Sequence, residues 1–517
     1  MKIAGATGAA GLLLLFGCLG PNSLVASVDI PSTTTAPSAD PVLHRNLQIA
    51  LQKAQQTDGA AQADTALRDV IDSPGFNTLD TAEQHLALAA AASVALQLDQ
   101  PGRAQSLIVR ATGLPEQGID DWRVRLTAAA RLDDAREEVN CVTTIVHRWG
   151  SALGQMPDAI ILHAVRDARK ARLDEERLGM LELLYGIRWK LSGDREPSAV
   201  WRELSLLELE KNHRDQASEV AAHIADPYEV IVMRADNRYR PLFKSGFVPH
   251  DVHKVIEAEI EQSRTAMEAS PRLLSRVVHL GSALQRSSRD QEVLSLTDDV
   301  MQRVEPGGVT RAAGAPSPYD DLDDQYAWVL ELRAWSLEQL GRFDEAVAMR
   351  RRAVEWPGNK DTVSHRLNLA SSLYELDRSQ EALAVLPPPD KASAYGRMVI
   401  QIVRLAAAIE QADDAEAGRA LTYLREHQDD SAHILQKALV IAGRDDECAA
   451  LLLSRLSDPA LRSEVLVELQ DYVEPTATPR VMQWRARFKL VRERAEVHAA
   501  INGVGRIDRY PVNYALF

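Results

Sequence analysis

The run Leu340-Gly341-Arg342-Phe343-Asp344-Glu345-Ala346 separates two amphipathic stretches and reads as the turn of a helix hairpin. The glycine suits a tight turn. The acidic pair favours the start of the second helix, and the small residue lets two helices cross closely. The same grammar returns at Ala382, Ala417 and Cys448, with Val293 as the related position upstream; the successive spacings are 53, 36, 35 and 31 residues. Ala66, Ala104, Ala135 and Ala217 occupy similar contexts earlier in the chain, with a blurred unit near Leu178. A single hairpin cannot bury its own apolar face and has to stack on neighbours. The expected fold is therefore all-α, a helix-hairpin α-solenoid.

Composition agrees. The 517 residues allow several ordinary domains or one long array. Hydrophobic residues at 45% and charged residues at 26% mark a globular chain, and the abundance of alanine and leucine favours helix. Val, Ile and Thr never gather into alternating runs, so no sheet is expected. A net charge of -15 repels phosphate backbones and argues against a nucleic-acid partner.

Breakers such as Ser73-Pro74-Gly75, Gln100-Pro101-Gly102, Asp226-Pro227, Trp356-Pro357-Gly358 and Asp458-Pro459 separate amphipathic stretches of helical length. Leu330, Ala334, Leu337, Gly341, Phe343, Ala346 and Ala353, with Pro357, resemble the apolar, small, glycine, aromatic and alanine positions of the tetratricopeptide repeat family. The likeness is good over residues 327–358, fair over 363–456 and poor before 240. It implies a right-handed superhelix with a concave protein- or peptide-binding groove, and no catalysis. The packing set expected from this grammar is Ala104, Ala135, Ala217, Val293, Leu337, Gly341, Phe343, Ala346, Ala353, Ala382 and Cys448.

Two arrays are expected. The first covers residues 42–243, its last segment (226–243) resembling one that closes some arrays, with Tyr239, Leu242 and Phe243 covering the final hairpin. The second covers 251–473 and carries a Gly/Pro/Ala-rich insertion at 305–321, either an inert excursion or a functional arm. A continuous superhelix kinked near residue 244 is the alternative. Residues 480–500 read as a basic amphipathic helix: Val481, Trp484, Phe488, Val491 and Ala495 form its stripe, among Arg485, Arg487, Lys489, Arg492 and Arg494. It either caps the array or docks on an anionic lipid surface or acidic partner. Residues 478–517 form this C-terminal region, whose tail is suited to lie extended in a groove, including the protein's own.

The N-terminus reads as an export signal, with Lys2 followed by an apolar stretch at residues 9–19, too short to span a bilayer. Leu15-Phe16-Gly17-Cys18 resembles a bacterial lipobox and would place a lipid on Cys18. Cleavage near Val25-Ala26-Ser27 is the competing reading. On either, residues 1–27 are the signal and 28–41 a Ser/Thr/Pro-rich tether. The expected address is exported: periplasmic, or a lipoprotein anchored at the outer membrane of a Gram-negative-type bacterium. Cys141 and Cys448 fall on helices far apart in a linear array, so no disulfide is expected.

His-Glu-x-x-His, Cys-x-x-Cys, P-loop and Gly-x-Ser-x-Gly patterns are all missing from the sequence. The acidic cluster Asp320, Asp321, Asp323 and Asp324 lacks the glycine and terminal glutamate of a calcium loop. Of Arg350-Arg351-Arg352, most is expected on an exposed face. The sequence therefore predicts no catalytic, cofactor or metal-binding residues, and a protein or peptide partner of unknown identity. The leading function is a non-catalytic scaffold of the cell envelope. The rivals are a peptidoglycan- or polysaccharide-processing enzyme or accessory subunit with a superhelical body, and a structural spacer without a ligand.

Overall fold

The computed structural model describes residues 41–56, 59–192, 195–244, 246–305, 317–358 and 361–513. Cys18, the tether to residue 40, most of the insertion and the last four residues lie outside them. Within the described residues the protein is all-α, with 26 α-helices, twenty of them arranged as consecutive hairpins. Strand pairing is limited to three isolated bridges there. The chain divides into two compact units between His223 and Ile224.

The first unit holds five hairpins. They are α1 (Pro41–Ala54) with α2 (Ala60–Ile71), α3 (Thr81–Gln97) with α4 (Pro101–Ala111), α5 (Ile119–Arg131) with α6 (Ala135–Trp149), α7 (Asp158–Lys170) with α8 (Asp174–Gly186), and α9 (Ser198–Glu210) with α10 (Arg214–Ala221). Local chemistry sets the ends. Asp80, for instance, accepts from the Glu83 amide at 2.7 Å while Glu83 accepts from the Asp80 amide at 3.2 Å, a reciprocal cap that starts α3.

The second unit opens with α11 (Pro227–Ala235), α12 (Arg240–Lys244) and α13 (Val252–Ala269). Five hairpins follow: α14 (Leu274–Arg286) with α15 (Asp290–Val304), α16 (Leu322–Gln339) with α17 (Phe343–Glu355), α18 (Thr362–Glu375) with α19 (Ser379–Val385), α20 (Ala394–Glu410) with α21 (Asp414–Glu426), and α22 (Ala432–Ile441) with α23 (Asp445–Ser457). It ends with α24 (Arg462–Glu468), α25 (Pro479–Arg492) and α26 (Ala495–Val504). The expected single helix at 480–500 is thus two, broken where Arg494 adopts an extended backbone.

One turn recurs in both units. Asp99, Asp133, Arg172, Asn212, Ser288, Gly341, Asp377, Ala412 and Gly443 all take the left-handed conformation between the two helices of a hairpin. The next amide returns to a carbonyl five residues back, as in Arg342 to Leu337 (2.8 Å) and Asp134 to Ala129 (3.0 Å). Only two of these nine positions are glycine, which explains why the sequence pattern is clear at Gly341 and blurred upstream.

Five residues beyond each turn lies the helix-crossing position. Ala104, Ala217, Val293, Ala346, Ala382 and Cys448 occupy it and are fully buried. Ala417 occupies it too and is half-buried, leaving Ala420 as the buried alanine of α21. In α6 and α8 the position holds Glu138 and Arg177, both buried. Ala135 instead opens α6, three residues before the crossing. Leu337 and Ala353 are buried in the seam, and Phe343 is half-buried at the start of α17.

The segment expected to close the first array belongs to the second unit. Asp236 is completely buried there and receives Arg238 Nη2 at 2.7 Å; Ser463 on α24 donates to Asp236 at 3.1 Å and accepts from Arg238 at 3.0 Å. Tyr239 and Leu242 are buried, Phe243 partly so. The physical reason is that this ion pair finds its third partner 225 residues later in the chain.

Candidate functional site

The first helices of successive hairpins in the second unit form one face. α14 packs on α16, α18 on α20, and α20 on α22. Over this face lie two extended segments, 471–478 and 505–513, joined by a parallel bridge between Asp471 and Arg509. The amides of Asp471 and Val473 donate to the Asp508 and Val512 carbonyls (both 3.1 Å), and the Tyr510 amide donates to the Asp471 carbonyl at 2.8 Å. Val512 and Tyr510 are buried. Asn513 reaches the far end, where its amide donates to the Arg286 carbonyl at 3.0 Å and its side chain to Gln339 at 2.9 Å.

Between segments and helices remains a cavity of about 150 Å³. Trp335 and Glu338 of α16, Ser372 and Glu375 of α18, Tyr395 of α20 and Lys437 of α22 line its floor; Thr476, Thr478 and Arg485 line the other side. Its wall is charged but balanced. Lys437 stands 3.5 Å from Glu375, and Arg485 donates to the Pro475 carbonyl at 2.8 Å. Burial pulls the Arg485 guanidinium below its usual range, with Glu474 and Glu375 opposing it. The Tyr395 hydroxyl is pushed up to about 12 by burial.

Two buried ion clusters stiffen the floor. Arg350 on α17 is 1% exposed; it donates to Glu331 at 3.1 Å and to Glu338 at 3.0 Å, and also to Ser372. His365 stands 3.0 Å from Glu331. Burial works against the Arg350 charge, but Glu338 and Glu331 outweigh it and hold the group above its ordinary value. Arg351 pairs on the surface with Glu381, and Arg352 pairs with Glu305. The arginine triplet thus splits, one residue anchoring the core and two facing outward. In the second cluster Arg455 forks onto Glu468 with two bonds of 2.8 Å, and His433 stands 3.1 Å from the same carboxylate. Burial would raise the Glu468 pKa; Arg455 and His433 reverse that and hold it far below the carboxylate range.

The basic charges of α25 meet the carbonyl ends of α18, α22 and α24. Arg480 donates to the Tyr374 carbonyl at 3.0 Å, Arg487 to the Val440 carbonyl at 3.4 Å, and Arg492 to the Leu469 carbonyl at 3.0 Å. Cations there complement the carbonyl ends of helices. Val481, Trp484 and Val491 are buried beneath them. The geometry is that of a cap on the array. Thr478 fixes the register: it accepts from the Val481 amide at 3.2 Å and donates to the Glu375 carbonyl at 2.7 Å. Thr478, Asn513 and Gln470, whose side chain donates to the Arg506 carbonyl at 2.9 Å and accepts from the Asp508 amide at 2.7 Å, escaped the sequence reading. Thr478-Pro479 was the available signal, since a hydroxyl N-cap followed by proline marks a helix start.

Both described cysteines are buried free thiols, in different units; burial pushes Cys448 up to about 12. No helix among the described residues is long and apolar enough to cross a membrane.

No family model matches the chain. No curated protein matches it either. Among solved structures, the crystal structure of the APC/C hetero-tetramer Cut9-Hcn1 is similar over 89% of this chain and 85% of that one, at 10% identity and a TM-score of 0.29. The structure of Naa15/Naa10 bound to HypK-THB is similar over 92% of this chain and 75% of that one, at 12% identity and a TM-score of 0.23. Scores of this size add nothing to the chain's own geometry.

Proposed function

We propose that this protein is a non-catalytic scaffold that binds an extended polypeptide segment of a partner on the first-helix face of the second unit. The observation that carries this reading is the way that face holds 471–478 and 505–513: extended backbone, buried apolar side chains at Tyr510 and Val512, and side-chain amides clamping the chain. A rigid wall of stacked helices lowers the ordering cost of such a ligand. We further propose, from the sequence pattern of residues 1–27 alone, that the scaffold is exported to a bacterial envelope and anchored through Cys18. Palmitate-analogue labelling that vanishes in Cys18→Ala would support the anchor, and equal labelling would remove it.

The binding test uses a photo-crosslinking amino acid placed in the full chain, in intact cells. Position Trp335 probes the cavity, and Arg419, exposed on α21, serves as comparison. The expected outcome is a protein adduct from Trp335 and none from Arg419. If Trp335 yields only internal adducts with residues 471–513, the face is a self-contained core and the scaffold reading fails.

A further inference from the structure

The segment 505–513 is held mainly through its backbone. The Arg506 amide donates to the Ala235 carbonyl at 2.9 Å, and the Arg506 carbonyl accepts from the Gln470 side chain at 2.9 Å. The Asp508 amide donates to the oxygen of the same side chain at 2.7 Å, and the Asp508 carbonyl accepts from the Asp471 amide at 3.1 Å. Tyr510 and Val512 continue the alternation on Asp471 and Val473. Every second residue thus bonds inward, the pattern of a strand added to an edge. Gln470 is 4% exposed and is oriented by a further bond to the Leu466 carbonyl at 2.6 Å. Its amide grips the main chain on either side of Ile507, a contact that any extended polypeptide could make.

Few side chains make the seat selective. Tyr510 and Val512 are two residues apart, share one face of the extended chain and are buried. Asn513 follows with its bond to Gln339 at 2.9 Å. Arg506, Arg509 and Pro511 are exposed. Gly505 enters where a Cβ would stand 2.5 Å from the Ala235 carbonyl oxygen and 2.7 Å from Leu466. The outer edge of the segment is blunted, because Pro511 has no N–H to offer there. A foreign strand therefore cannot extend the ribbon from outside. To use this wall it has to take the segment's place.

We propose that residues 505–513 are an autoinhibitory strap, an internal stand-in that the partner replaces. The replacing segment is extended, pairs with 471–473 and is gripped by Gln470. It sets an aromatic and a β-branched side chain where Tyr510 and Val512 now lie, with an amide side chain next. This assignment rests on the polypeptide-binding reading of the same face, and adds which residues must leave and what the ligand looks like. The strap buries few apolar side chains, so it can open while the helices stay packed. Because it is tethered, it competes at an effective concentration on the order of a millimolar.

Hydrogen exchange on the native full chain is the first test. The amides of Arg506, Asp508, Tyr510 and Asn513 should exchange at least about a hundredfold faster than those of the buried Ile402 and Val403 of α20. Equal protection would make the segment part of one cooperative core and overturn the strap. A second test titrates a fluorescent synthetic copy of residues 505–513 into full-length protein. Tyr510→Ser and, separately, Gly505→Ala loosen the strap without altering the receiving wall. Each should bind the peptide at least about tenfold more tightly than the parent does, and adding Gln470→Ala should cancel the gain. Equal binding by parent and both variants, or none by any, would overturn the proposal. Photo-crosslinking from Trp335 separates it from the broader reading: foreign adducts should rise at least about threefold when the strap is loosened. Unchanged foreign adducts would remove the strap and leave the scaffold standing, whereas no foreign adduct from parent or variant would remove both.

Discussion

Five residues past the left-handed turn, the second unit buries Val293, Ala346, Ala382 and Cys448, whereas the first unit sets Glu138 and Arg177 between Ala104 and Ala217. The turn is the same, so backbone geometry does not dictate which chemistry fills the crossing. The charged residues do something the small ones cannot: each extends to the next hairpin. Glu138 on α6 reaches His163 on α7, and Arg177 on α8 reaches Glu203 on α9 at 3.4 Å, itself held by Arg169 at 2.7 Å. The first unit stitches consecutive hairpins with polar links at these points, while the second closes the same points with an apolar seam and keeps its buried arginines, Arg286, Arg350 and Arg455, elsewhere.

Exchanging the two chemistries is the most severe way to break this comparison. Ala346→Glu would bury a carboxylate with no cation arranged for it, and should cost the second unit about 4 kcal/mol or more, read as lost cooperative unfolding in denaturant titration. A loss under about 1 kcal/mol would mean that the apolar seam is incidental. The reverse exchange is milder. Glu138→Ala should cost about 2 kcal/mol, since His163 keeps Asp167 as a partner and one hydrogen bond and some packing are lost.

A third test asks what an uncompensated carboxylate does in the second unit. Asp290 opens α15, with Oδ1 buried and unpartnered. Burial pushes its pKa up to about 6 from 3.8, against a bond from Ser336. The folded state therefore holds the proton more tightly than the unfolded state. The stabilisation is complete below about pH 4 and is lost as pH rises through about 6. Asp290→Asn should remove that slope and gain roughly 1–2 kcal/mol at pH 7; an unchanged pH profile between 4 and 7 would refute the assignment. The smallest effects belong to the turn itself. Gly341 has φ +76 and Ala412 has φ +55. Gly341→Ala should destabilise by about 1 kcal/mol and Ala412→Gly should stabilise by a few tenths to about 1 kcal/mol, a matched pair measurable by thermal unfolding.

The hairpin rhythm was legible because turn and crossing follow one another at a fixed distance, and Gly341, Ala346 and Ala382 show both signals together. Upstream the turn residue is Asp, Arg or Asn and the crossing residue can be charged, so Ala135 was taken for a position that belongs to Glu138. Nothing local marks such a substitution; its justification is a histidine 25 residues away. The site was legible only in part. The amphipathic stripe of α25 left a cap and a docking helix both open, and the partners of its arginines are backbone carbonyls at helix ends, which a sequence does not display. The placement of 226–243 failed for a related reason, because Arg238 and Asp236 meet Ser463 only in the finished fold.

That long-range contact, with the paired segments 471–478 and 505–513, changes how the second unit must come together. A chain of stacked repeats ordinarily gains order one neighbour at a time. Here residue 513 is tied to the carbonyl of Arg286, and Gly505 is bridged to Asp236. A ribosome has to deliver the distal portion before the earliest hairpins of this unit acquire their full set of bonds. Such knitting slows assembly and sharpens its cooperativity, so nascent protein would pass through a window in which most helices exist and the belt that cinches them does not.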